Sequence, residues 1–148
     1  MLGLSVIERL LPHRPPFLMV DAVIAYTGGN EPTLCATRQV HSSEPVFSGA
    51  EQAIAWPSVH VIEGLAQSCS ILSMMKSCER ELLAQGENPN SLLATLKDLD
   101  VNEKNPGSNR LWEMFEKNAL ESNGSVGMLA ATDVEVIDRV YVDDTIHY

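Results

Sequence analysis

The sequence predicts a single α+β domain in which one long helix lies against an antiparallel sheet of about five strands. Three observations predict it. Residues 59–85, VHVIEGLAQSCSILSMMKSCERELLAQ, repeat apolar or small side chains at helical spacing: Val59, Ile62, Ala66, Cys69, Leu72 and Leu83. Val61, Leu65, Ile71 and Met75 widen this stripe, which describes a helix nearly all buried at its start and amphipathic at its end. Runs of period two stand on both sides of the helix, and turn signals separate those runs: Thr27-Gly28-Gly29-Asn30, Asn105-Pro106-Gly107 and Ser122-Asn123-Gly124.

Taken in order, residues 4–11 form a short amphipathic helix, with Ser5 and Glu8 in capping-box spacing and Pro12 ending it. The next stretch, PHRPPF, holds too many prolines for a regular element, so a fixed turn or extended linker is expected, with Arg14 held stiffly between prolines. Strands are expected at 17–26 and 33–40, joined by the Thr27–Asn30 hairpin, with Cys35 and Thr37 alternating against Leu34, Ala36 and Arg38. Residues 42–56 lose period but keep Val46, Phe47, Ile54 and Trp56, which describes a loop with apolar anchors and a good place for a pocket mouth.

Pro57-Ser58 supply a boundary proline and a capping hydroxyl for the long helix, and Gly86 with Asn88-Pro89 supplies its stop. Beyond it, 91–101 and 111–120 read as strands around the Asn105-Pro106-Gly107 turn. The second is read so because turn signals flank it, against the helix propensity of its Glu, Met and Ala residues. A long last strand is expected over 126–142, and Asp143-Asp144 is expected as an acidic tail that frays.

Composition narrows the class further. The 148 residues suit one domain, 1–148, and 45% hydrophobic content excludes disorder. Twenty acidic against 10 basic residues give a net charge of −10, which argues against a general binder of nucleic acid or anionic membranes. The odd set Cys35, Cys69 and Cys78 suggests buried thiols in a reducing compartment. No signal-peptide pattern or membrane-length apolar run is visible, so a soluble cytoplasmic protein is expected. No nucleotide loop is present and His13, His41, His60 and His147 lack metal spacing, so neither cofactor nor metal is expected.

The charges inside the long helix locate the chemistry. Glu63 stands in its most apolar part, among Val61, Ile62, Leu65 and Ala66, where a carboxylate needs a partner. His60 lies three residues before it and Gln67 four after, so a titratable ring, a carboxyl and an amide share one face. The alternative is that Glu63 reaches solvent beside the helix N-terminus, where negative charge is favoured.

Several motifs resemble one family. PHRPPFLMVD at 12–21 resembles the signature that opens the beta-hydroxyacyl-ACP dehydratases of bacterial fatty-acid synthesis. Residues 43–49 resemble the approach to that family's active loop, Trp56-Pro57-Ser58-Val59 and Ile62-Glu63-Gly64-Leu65-Ala66-Gln67 the start of its central helix, and Asn105-Pro106-Gly107 a later turn. The resemblance implies a hotdog fold, a long central helix wrapped by a five- or six-stranded antiparallel sheet. It further implies a dimer whose sheets join edge to edge and whose sites lie in tunnels between subunits. The partner it implies is an acyl carrier protein carrying a phosphopantetheine-linked acyl chain. Such a carrier would be met by a local basic surface drawn from Arg14, Lys76, Arg80, Lys97 and Arg110. Phe47, Gly49, Ala50, Trp56, Ser58 and Val59 would face the substrate.

One departure matters. The family carries Gly-His-Phe-Pro-Gly in its active loop, the histidine removing the C2 proton while an acidic residue from the other subunit's helix works on the C3 hydroxyl. Here the run is Gly49-Ala50-Glu51-Gln52-Ala53, one residue nearer to Glu63 than in the family, and Ala50 has no titratable group. Ser58 replaces the glycine at the helix start, where a backbone N–H could still serve a thioester oxygen. Three readings follow. The chain is a dehydratase using Glu63 with a displaced base, His60 before His41. Or it is a non-catalytic subunit that pairs with an active homologue or binds an acyl chain. Or it is a hotdog thioesterase in which Glu63 activates a water that Gln67 orients. The first places it in fatty-acid or polyketide biosynthesis, and the motifs around Glu63 and Gln67 favour acyl-thioester recognition in all three.

Overall fold

The computed structural model describes residues 2–49, 54–88, 92, 110, 113, 114, 117 and 133–148. Their elements are α1 (Leu4–Leu10), β1 (Ala22–Thr27), β2 (Thr33–Gln39), a 3-10 turn (Pro45–Phe47), α2 (Ser58–Ala84) and β3 (Thr145–His147). The described strands form an antiparallel sheet in the order β1-β2-β3, and α2 packs against β2. This is an α+β, hotdog-like arrangement with a long central helix. Among the described residues, no helix is long and apolar enough to cross a membrane.

The α2 boundaries follow the local signals. Gly86 adopts φ +76, and its N–H bonds Leu83 O at 3.0 Å while Glu87 N–H bonds Leu82 O at 2.9 Å, a Schellman stop that glycine adopts without strain. At the other end Pro57, not Ser58, is the N-cap residue, and no side chain caps the first turn. In α1 likewise the cap position falls on Gly3, whose carbonyl accepts from Val6 and Ile7, so Ser5 lies inside the helix and the expected capping box does not form.

The buried face of α2 differs from the expected stripe. It runs through Gly64, Gln67, Ser68, Ile71, Met75, Cys78, Glu79 and Leu82, whereas Val59 is 63% exposed and Leu65 and Leu83 also face outward. Polar side chains turn inward because each finds partners there. Glu79, 7% exposed, accepts from the Tyr26 hydroxyl at 2.7 Å and the Gly29 N–H at 2.9 Å. Burial first, and the Glu79 hydrogen bond second, hold the Tyr26 phenol above its ordinary pKa. The β1–β2 turn needs a glycine at position 28, because a Cβ there would collide with the Glu79 carboxylate. Around this face lie Val6, Ile7 and Leu10 of α1 with Leu18, Val20, Val23 and Ala36. Each such large side chain contributes about 1.5–3 kcal/mol when fully buried.

Other expectations change. The strand expected from residue 17 begins at Ala22, because the Met19 N–H is taken by a helix side chain instead of a strand. Glu113, Met114 and Lys117, expected in a strand, are helical, as is Arg110 before them. Met114 is buried while Arg110, Glu113 and Lys117 are exposed, and helix propensity prevails over the flanking turn signals. Leu92, expected in a strand, is also helical. Residues 133–142 form no strand, and Ile137 among them is 92% exposed. The acidic tail does not fray. Asp143 adopts φ +72 in a turn, its N–H donating to Val40 O at 2.9 Å, and Thr145–His147 pairs with Thr37–Gln39. The expected strand over 93–101, both later turns, residues 126–132, Ala50 and Lys97 lie outside the described residues.

Glu79→Ala should lower the unfolding free energy in urea by about 2–4 kcal/mol, since it leaves a hydroxyl and a backbone N–H without their charged acceptor. Glu79→Gln, which keeps one acceptor, should cost visibly less.

Candidate active site

The site begins with a buried amide. Gln67, 2% exposed, accepts the Met19 N–H at 2.9 Å with its Oε1. Its Nε2 donates to Phe17 O and to Glu63 Oε1, both at 2.8 Å. Both amide hydrogens and the carbonyl are thereby used, which fixes the amide's orientation. Glu63 is 42% exposed at its side chain, so within the described chain it stands at the surface. The reason is the rotation of α2, which turns Gln67 inward and leaves Glu63 on the edge facing the proline-rich turn.

That turn supplies the third member. His13 Nε2 lies 3.5 Å from Glu63 Oε1. Arg14 staples its own loop, donating from Nη1 to Leu11 O at 2.9 Å and His13 O at 2.7 Å, while the Phe17 N–H donates to Arg14 O at 2.8 Å. The guanidinium of Arg14 thus serves the backbone of its own turn. Sequence reasoning missed His13 as a site residue, although its place between Pro12 and the stiff Arg14-Pro15-Pro16 run was a signal.

His60 is not part of this group. Its ring meets Trp56 edge-on at 4.8 Å, Trp56 meets Phe47 at 5.9 Å, and the His60 Nδ1 and Trp56 Nε1 atoms are buried without partners. Trp56 and His60 line a cavity of about 120 Å³ with Pro16, Phe17, Glu44, Pro45 and Val46. Arg38 ties the loop to the sheet by bonding both Asp21 and Glu44, its guanidinium 5.9 Å above the Trp56 ring. Of the other expected residues, Gly49 is exposed at φ +76, Ser58 and Val59 are exposed at the start of α2, and His41 is exposed on the loop after β2. Arg110 is paired with Glu87 at 2.6 Å and also bonds Gln85, whereas Lys76 is half-buried and Arg80 exposed on α2. Just behind Glu63, Gly64 lets the Tyr148 hydroxyl approach the helix. Burial pushes that phenol up to about 12, with Arg38 opposing and Asp21 adding to the rise. Among the described residues, no three His, Cys, Asp or Glu side chains gather as a metal ion requires.

The family model for ApeP-like proteins, described as ApeP dehydratase, matches residues 5–97. The chain belongs to this family. It is also 40% identical over 82 residues to the 3-hydroxyacyl-acyl-carrier-protein dehydratase FabZ of a Nitratiruptor species, covering 55% of this chain and 54% of that one. The FabZ of Colwellia psychrerythraea is 40% identical over 96 residues, covering 64% and 59%. The FabZ of an Anaeromyxobacter species is 40% identical over 74 residues, covering 49% and 46%. The chain spans about half the length of these curated relatives. The part of this chain that the family model matches includes His13, Ala50, Glu63 and Gln67.

Because Gln67 satisfies three groups at once, Gln67→Ala should lower stability by about 2–4 kcal/mol. Gln67→Glu should cost more, since it sets a second carboxylate beside Glu63 and removes the donor to Phe17 O. Chemical denaturation of the two variants side by side checks the order.

Proposed function

We propose that this chain is a dehydratase-like subunit for acyl-carrier-protein thioesters that supplies the carboxyl half of a composite site, the other half coming from a histidine-bearing homologue. The observation that carries this reading is Glu63 held by Gln67 while position 50 is alanine. Dehydration of a 3-hydroxyacyl thioester needs a base at C2 and an acid at C3, acting at separate points. Glu63 is suited to the second role, and its exposed side chain is open to a partner's surface. The displaced-base reading loses support, because the His60 ring packs edge-on against Trp56 and His13 approaches the same oxygen that Gln67 binds. The thioesterase reading weakens too, since Gln67 has no hydrogen left to direct a water.

In the resembling family the two halves of each site come from different subunits, and that geometry would let Glu63 of this chain meet the partner's histidine. Free backbone N–H groups in an uncapped first turn suit the start of α2 to a thioester oxygen. A carrier protein would then meet α2 near Lys76 and Arg80, with Arg14 at the turn. Route and chain length follow the partner.

Incubating a 3-hydroxyacyl carrier substrate with this chain alone, and with a histidine-bearing dehydratase of the family, and resolving enoyl product from free acid, tests the proposal. The expected result is neither product from the chain alone and enoyl product from the purified one-to-one complex. Within that complex Glu63→Gln should lower the rate by at least about 100-fold. Free acid released by the chain alone, and lost in Glu63→Gln, would establish the thioesterase instead.

A further inference from the structure

The Glu63 carboxyl is approached twice on the same oxygen. Gln67 Nε2 donates to Oε1 at 2.8 Å, and His13 Nε2 stands 3.5 Å from that atom, beyond a normal hydrogen bond but within one small rotation of it. We propose that His13 is a positioning residue for Glu63, which with Gln67 commits Oε1 to accepting N–H groups and leaves Oε2 as the oxygen that exchanges a proton with substrate. The proposal rests on the reading of Glu63 as the acid of a composite dehydratase site.

The direction of each hydrogen bond follows from the backbone. Met19 N–H can only donate, so the atom of Gln67 it meets is the carbonyl oxygen, and Phe17 O can only accept, so the atom it meets is the amide nitrogen. Glu63 Oε1 therefore faces a donor whatever the state of the carboxyl. When Glu63 carries a proton, that proton sits on Oε2. His13 Nε2 also faces an acceptor, which places a hydrogen on Nε2, while Nδ1 is buried without a partner. The backbone that carries the ring is held by the Arg14 bonds to Leu11 O and His13 O and stiffened by Pro12 and Pro15.

In the reaction the partner's histidine takes the C2 proton, the C2–H electron pair becomes the C2–C3 double bond, and the C3–O bond breaks. The leaving hydroxyl takes the Oε2 proton and departs as water. Glu63 is left as a carboxylate with two N–H donors directed at Oε1, and His13 touches neither reacting carbon. Its effect is on the angle at which Oε2 is presented, and misplacement of a reacting group by about 1 Å can cost about 100-fold.

The test uses the purified one-to-one complex with the histidine-bearing dehydratase and follows enoyl product. His13→Ala should lower kcat by about 10- to 100-fold with KM within about twofold. His13→Gln, whose amide N–H can reach Oε1, should recover most of the loss. Nitrogen NMR of the His13 ring in the full chain should show the hydrogen on Nε2. Full kcat in His13→Ala, or a ring protonated on Nδ1 alone, would overturn the proposal while leaving the Glu63 reading intact. Undiminished enoyl formation by Glu63→Gln would overturn that reading and this proposal together. Should His13→Ala fold poorly, His13→Gln and the ring spectrum decide.

Discussion

A primary amide in the middle of a long helix, buried to 2%, must be fully bonded or it destabilises the helix that carries it. Gln67 meets that requirement by reaching across to the backbone of Phe17 and Met19, so the segment entering β1 is sewn to α2 by side-chain hydrogen bonds in place of strand pairing. The same amide then has one hydrogen remaining, and Glu63, four residues earlier on the helix, receives it. Placement of the helix, the proline turn and the carboxyl thus depends on a single side chain.

The same logic recurs at two other places. Glu79 holds the β1–β2 turn against the far half of α2, and Arg38 joins Asp21 of the sheet to Glu44 of the loop. Gln67 and Glu79 put amide or charged groups where the apolar stripe of a simple amphipathic helix would put leucines, and Arg38 brings a charge in from β2. Each fixes a loop, and the two nearer the start of α2 fix the loops that flank Glu63. Trp56 and His60, whose buried nitrogen atoms have no partner, mark the apolar side of the same region.

Much of this is legible in the sequence, and the remainder is hidden for identifiable reasons. The bounds of α2 follow from Pro57, the helical period and Gly86, all local signals, and the Glu63–Gln67 pair follows from i, i+4 spacing. Its buried face does not follow, because Gln67 and Glu79 point inward by virtue of partners far away in the chain and Ser68 by bonding the Gly64 carbonyl of its own helix, while Val59 and Leu83 point out. Strand β3 is hidden because its pairing with β2 is entirely long-range, and the acidic residues before it suggest solvent. The helical state of Glu113, Met114 and Lys117 is written in their propensities, against which the neighbouring turn residues weigh too heavily. His13 belongs to the proline-rich motif, yet nothing local in the sequence tells that its ring meets a carboxyl on α2.

Glu63 is, on this account, a carboxyl presented outward to a second chain. Acid and base then stand on two polypeptides, so neither chain needs a complete set. The most direct measurement pairs this chain with a histidine-bearing dehydratase whose own helix carboxylate has been changed to an amide, leaving that homologue inactive alone. The account predicts that adding the present chain restores enoyl formation and that adding its Glu63→Gln variant does not. Restoration by the Glu63→Gln variant, or none by the unmodified chain in a complex shown to have formed, would contradict it.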